Sequence, residues 1–156
     1  MIFSHLKKKK ISMVDISKKK LTNRTATASL SLNFSEKTFK KIINNNSPKG
    51  EIFNIARSAG ISAAKKTSEL IPLCHNLPIS YIGIDFKVDK KNLSIQILSE
   101  IKTQFSTGVE MEALTACSVA GLVIYDMCKS LDKKIIMTEL KLLFKKGGKS
   151  GTFKND

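Results

Sequence analysis

Residues 107–131 constrain this chain more than any other segment. Their apolar positions recur at the period of a helix. Small residues return every four positions, with Ala113, Cys117 and Gly121 in one row and Ala116 and Ala120 in another. Residues four apart share a helix face, so the predicted helix carries a stripe flat enough for a second element to approach closely. Thr107-Gly108-Val109-Glu110 fits a capping box, with glutamate three residues after the cap. The most apolar part, residues 113–127, is interrupted by Thr115, Ser118, Tyr125 and Asp126. It is expected to be too short and too polar to cross a bilayer, and no membrane partner is expected.

The other elements follow from shorter patterns. Arg24, Ala26, Ala28, Leu30 and Leu32 alternate with Thr25, Thr27, Ser29 and Ser31, the period of a half-buried strand over residues 23–33. Ser35 suits the N-cap of a short helix to about residue 43, which Asn44, Asn45 and Asn46 end. Ser47-Pro48 starts the next, since proline is tolerated in a first turn. Over residues 50–70, Ile52, Phe53, Ile55, Ala56, Ala59, Ala63 and Ala64 keep helical spacing, with Gly60 read as a kink or break. Pro72 and Pro78 bracket a loop; strands are expected over 79–88 and 93–101, joined by a hairpin at Asp89-Lys90-Lys91-Asn92, and over 135–144. The order β-α-α-β-β-α-β predicts an α+β fold, an antiparallel sheet covered by helices on one face. A chain of 156 residues that is 42% hydrophobic supports one core. The domain reading is a basic, mobile N-terminal arm over residues 1–20, a single α+β domain over 21–146, and a flexible glycine-rich tail over 147–156.

Lys and Arg outnumber Asp and Glu 27 to 13, a net charge of +14. Such a surface attracts nucleic acid, a membrane surface or a phosphorylated small molecule, and charge alone does not choose among them. Lys7 to Lys10 and Lys18 to Lys20 belong to the arm, so part of this basicity is not a folded patch. The first ten residues lack an apolar core of signal-peptide length, and no secretory signal is read there. Cys74, Cys117 and Cys128 are odd in number and without a CxxC pair, which disfavours a disulfide framework and a structural zinc site. A cytoplasmic location is the expectation.

Among groups that carry chemistry, His75 lies in the proline-bracketed loop beside Cys74. Sequential side chains diverge, so the pair is no nucleophile-base dyad, and a lone loop histidine is more often a surface residue. Gly147-Gly148-Lys149-Ser150-Gly151 lacks the earlier glycine of a phosphate-binding P-loop, having Leu143 there, and has no room for the following helix. It reads equally as a phosphate-contacting loop, with Lys145, Lys146 and Lys149, or as a frayed terminus. Asp126 and Lys129, three apart, form by default a surface pair worth about 0.2 to 0.5 kcal/mol. An aspartate in the last turns opposes the helix dipole, which favours a functional role. The capping box accounts for Glu110; Glu112 has no local role. Glu112 and Asp126 stand fourteen residues apart, about 21 Å along a helix. Both serve one small pocket only if the helix breaks or the pocket forms between subunits.

Several long segments, taken in order, resemble the cyclic pyranopterin monophosphate synthases, the MoaC family of molybdenum cofactor biosynthesis. They are Met13-Val14-Asp15-Ile16-Ser17, Ala56-Arg57-Ser58-Ala59-Gly60-Ile61 through Ala64-Lys65-Lys66-Thr67, and Leu70-Ile71-Pro72-Leu73-Cys74-His75. Thr107-Gly108-Val109-Glu110-Met111-Glu112-Ala113-Leu114-Thr115-Ala116, Ile124-Tyr125-Asp126-Met127-Cys128-Lys129 and Gly147-Gly148-Lys149-Ser150-Gly151 complete the match. The resemblance implies a ferredoxin-like sheet and a homohexamer, a trimer of dimers, with its active site at a subunit interface. It implies conversion of 3′,8-cyclo-7,8-dihydro-GTP to cyclic pyranopterin monophosphate and diphosphate, with no cofactor and no metal. By the same resemblance, Asp126, Lys129 and Lys49 are the catalytic candidates. Leu73, Cys74, His75, Met111, Glu112, Arg24, Glu110 and Lys145 are the substrate-binding candidates. Asn76 stands where the family commonly has proline. Lysine suits proton transfer because burial near other cations lowers its pKa. A basic RNA-binding domain is the main rival, opposed by the absence of tryptophan and of an aromatic-rich strand. Nucleic acid is therefore not an expected partner.

Overall fold

A computed structural model describes residues 5–7, 10–44 and 49–155. Strands β1 (Leu6–Lys7) and β2 (Lys10–Ile11) form a small hairpin, followed by β3 (Thr22–Asn33), α1 (Glu36–Ile43), α2 (Lys49–Lys65) and α3 (Thr67–Leu70). Then come β4 (Tyr81–Asp89), β5 (Ser94–Phe105), α4 (Glu110–Cys128), β6 (Ile136–Lys146) and β7 (Phe153–Lys154). The long strands make one antiparallel sheet in the order β4-β5-β3-β6-β7. The α+β reading and the main elements hold. The turn read at Asn45 to Pro48 lies outside the described residues.

The period-two pattern of β3 does what it predicts. Ala26, Ala28, Leu30 and Leu32 are buried and face Ile101, Ser99, Ile97 and Ile95 of β5 across the register. The helices cover this face: α4 packs on β3, β5 and β6, while α2 lies beside α4 and over β4. Turn chemistry sets the β4–β5 hairpin. Asp89 accepts bonds from the Lys91 and Asn92 amides and from the Asn92 side chain, which hold its carboxyl below the usual range.

The small-residue stripe of α4 is buried throughout, and its contacts are close. Ser99 Oγ donates to the Ala113 carbonyl at 2.8 Å, and Cys117 Sγ lies 3.3 Å from Ser99 Oγ. A Cβ on Gly121 would overlap Leu30, and one on Gly60 would lie 2.8 Å from the Ala116 carbonyl oxygen and 2.5 Å from Ile84 Cδ1. Gly60 is therefore a contact point between helices and neither a kink nor a break, because α2 runs through it unbroken. The capping box does not form either: Val109 is the N-cap of α4, with no side-chain cap bond. By length and composition α4 is apolar enough to span a membrane, contrary to the sequence expectation. Its place between sheet and α2, with Ala113, Ala116, Cys117, Ala120 and Ile124 at 0% exposure, is that of a core helix.

Gly60→Ala forces a new methyl against a backbone carbonyl that cannot rotate away. It is expected to destabilise the fold by about 1 to 3 kcal/mol despite the better helix propensity of alanine. Gly121→Ala, which meets the ends of the flexible Leu30 and Met137 side chains, costs less. Urea midpoints of the two variants check the order.

Candidate active site

The start of α4 and the loop after α3 meet in a cleft of about 310 Å³. The loop is shaped by the Cys74 amide, which donates to the Ile71 carbonyl at 3.0 Å, and by Thr103 Oγ1, which donates to the Pro78 carbonyl. It presents Leu73, Cys74 and His75 to the cleft, opposite Glu110, Met111 and Glu112 from the first turn of α4. Six of the residues singled out in the sequence are thus brought together from two segments more than thirty positions apart.

Within this group the carboxylates differ in environment. Glu112 is only 4% exposed, and burial pushes its pKa up to about 7, with the Glu110 charge adding to the effect. Glu110 instead folds back over Gly108, where a Cβ would strike its carboxylate, and pairs with Lys145 at 3.3 Å. Lys145 Nζ also donates to Ser150 Oγ at 2.8 Å. The Cys74 thiol is pushed up by burial first and by the Glu112 charge second, which keeps it protonated and disfavours it as a nucleophile.

Arg24 joins the same end of the sheet. Its Nε and Nη2 lie 3.4 and 3.3 Å from the carbonyl oxygens of Phe105 and Ser106. Gly147 and Gly148, at φ of +103° and +80°, wrap so closely that a Cβ on Gly148 would fall on the Arg24 guanidinium. The segment read as a glycine-rich tail thus turns over Arg24, and its end pairs with β6 as β7. Lys145 and Arg24 thus put two cationic side chains beside the cleft, each touching a residue at or next to its lining.

Asp126 and Lys129 lie elsewhere, at the far end of α4. They pair at 2.6 Å with side chains 69% and 56% exposed. The Asp126 hydrogen bond and charge raise the Lys129 pKa, the opposite of the lowering expected for a lysine among other cations. The loop that ends α2 and α3 shares the cleft with the start of α4, so the two long helices run antiparallel. Lys49 is the first residue of α2, which places its backbone at the Asp126 and Lys129 end. No break in α4 closes the gap between Glu112 and Asp126, about 21 Å along the axis. The candidates thus form two clusters at opposite ends of one helix, and among the described residues the cleft is lined by the first cluster and not the second.

His5, Val14, Lys19, Leu77, Thr107 and Gly108 also line the cleft and were not among the site candidates read from the sequence. The segment containing Met13 and Val14 was marked by resemblance only. Nothing in the spacing of His5 or Lys19 shows that the arm folds back to this point.

A family model described as the MoaC family matches residues 13–148. The cyclic pyranopterin monophosphate synthase of Bordetella parapertussis is 47% identical over 154 residues, covering 98% of this chain and 96% of its own length. That of Desulfatibacillum aliphaticivorans is 48% identical over 155 residues, covering 99% and 98%. That of Pelotomaculum thermopropionicum is 46% identical over 141 residues, covering 90% and 83%.

The sign of the Glu112 effect on stability is fixed by its raised pKa. Relative to the unfolded chain the native state holds this proton more tightly. The stability so gained is complete below the ordinary carboxylate value of 4.5 and is lost as pH rises to about 7. Glu112→Gln is therefore expected to gain stability relative to the parent between pH 4 and pH 8, by up to about 3 kcal/mol. Chemical denaturation of both proteins at the two pH values measures it.

Proposed function

This chain belongs to the MoaC family, and we propose that it is a lyase of molybdenum cofactor biosynthesis acting on a small-molecule substrate. The reaction is the cyclic pyranopterin monophosphate synthase reaction, which takes 3′,8-cyclo-7,8-dihydro-GTP to the cyclic pterin monophosphate and diphosphate. Near-half identity to synthases over almost the whole chain carries the assignment. The gathering of the motif residues at the two ends of α4 supports the site.

Opening the ring at the aminal carbon and rebuilding the pyranopterin require proton transfers near neutral pH. Glu112, with its pKa near 7, can hold or release a proton there. Expulsion of diphosphate needs positive charge at the leaving group, which Lys145, Arg24 and the loop amides can supply. Lys129 and Asp126 serve as the acid and base of the second cluster, joined by Lys49. In the free chain this cluster is solvated; a second subunit that buries it would strip water from Lys129 and bring its pKa down toward a useful range.

The active site is accordingly read as composite, the Glu112 half from one subunit and the Asp126 half from another. Leu122, Ile136, Met137 and Leu140 expose apolar side chains on α4 and β6, which suits subunit contacts and the homohexamer implied by the family. The strand order β4-β5-β3-β6 with helices on one face supports the ferredoxin-like reading. Three free cysteines suit a reducing cytoplasm.

Purified protein incubated with enzymatically made 3′,8-cyclo-7,8-dihydro-GTP should release diphosphate and the pterin product. Inactivity where a known synthase turns over would sink the assignment. Lys49→Ala and Lys129→Ala are expected to fold normally and lose most turnover. Glu112→Gln and Asp126→Asn, each inactive alone, should recover about a quarter of parental activity when refolded together, because mixed interfaces rebuild intact sites. No recovery on mixing would exclude a pocket shared between subunits.

A further inference from the structure

The chain has two histidines, His5 and His75, and both line the same cleft although one comes from the N-terminal segment and one from the loop before β4. His5 also lies outside the family-matched residues 13–148. Its position is built by the β1–β2 hairpin. The Ser12 amide donates to the His5 carbonyl at 3.1 Å, and His5 Nδ1 lies 3.4 Å from the Ser12 carbonyl oxygen. A carbonyl only accepts, so Nδ1 is the donor in this contact, and in the Nδ1–H tautomer Nε2 is an acceptor. The segment beyond the hairpin is tied to the start of α4 by Ser106 Oγ, which donates to the Lys19 carbonyl at 3.1 Å.

The two carboxylates of the cleft are committed or shielded. Glu110 is paired with Lys145, and Glu112 is buried. A substrate with a guanine-derived ring and a ribose brings several N–H and O–H donors, each of which needs an acceptor once it leaves water. We propose that His5 is a substrate-contacting residue of this cleft, its Nε2 accepting a hydrogen bond from an N–H or O–H of the cyclic nucleotide. This assignment rests on the reading of the cleft as the substrate site.

The full-length chain and its His5→Ala, His5→Gln and His5→Asn variants separate the two ring nitrogens. Loss of one neutral hydrogen bond raises KM about three- to tenfold in His5→Ala, with kcat within about twofold of the parent. His5→Gln, whose amide oxygen reaches the Nε2 position, recovers most of the loss; His5→Asn, which reaches only the Nδ1 position, does not. Recovery by asparagine and not by glutamine makes His5 a clasp of the hairpin and overturns the proposal, as does a parental KM in His5→Ala. A parent without turnover overturns the enzymatic reading instead. Calorimetric titration with the cyclic nucleotide of the same four proteins in a Lys129→Ala background, which loses most turnover, then reads the contact by itself, and equal affinity with and without His5→Ala rejects it.

Discussion

The close approach of α4 to both the sheet and α2 is the constraint on which the rest of the structure depends. Glycine at positions 60 and 121 and alanine at 113, 116 and 120 remove the side-chain volume that would hold these backbones apart. The hydroxyl of Ser99 then reaches the Ala113 carbonyl and the Cys117 sulfur from the strand beneath. Packing at this distance leaves α4 little freedom to slide or rotate, because interiors are close-packed and small shifts cost contacts on every side. Both ends of the helix are thereby fixed, and both ends carry candidate chemistry.

Those two ends differ in solvation, and the difference governs what each can do. At the first turn Glu112 has lost its water with no cation paired to it among the described residues, so its proton is retained to near neutral pH. Two residues earlier Glu110 has Lys145 as a partner. At the last turn Asp126 and Lys129 hold each other in open solvent, where such a pair adds little to stability. An exposed pair of this kind interacts far more strongly once a second surface takes it out of water.

The glycine loop and the N-terminal segment show how the chain ends contribute to the site. Gly147 and Gly148 take positive φ angles that a side chain would strain, and they close over Arg24. The N-terminal segment meets the cleft through His5, with Val14 and Lys19 following. Segments that composition marks as a basic arm and a flexible tail therefore border the candidate site, and part of the net charge of +14 gathers where an anionic substrate would bind.

Periodicity in the sequence was enough to determine the α+β class, the alternating face of β3, the presence of α4 and the need for a close partner on its small-residue stripe. Motif resemblance named Leu73 to His75 and Glu110 to Glu112, and helix rise alone separated Glu112 from Asp126. These are local properties, read from residues near in sequence. Only the tertiary structure decided that Gly60 is a contact point and not a break, that Val109 replaces Thr107 as the cap, and that Glu112 is desolvated while Asp126 and Lys129 are not. It also decided that His5 and Lys19 reach the cleft. Each of these depends on which distant segment packs against the residue, and burial, close approach and the pKa shifts they cause are set by neighbours that local spacing does not encode.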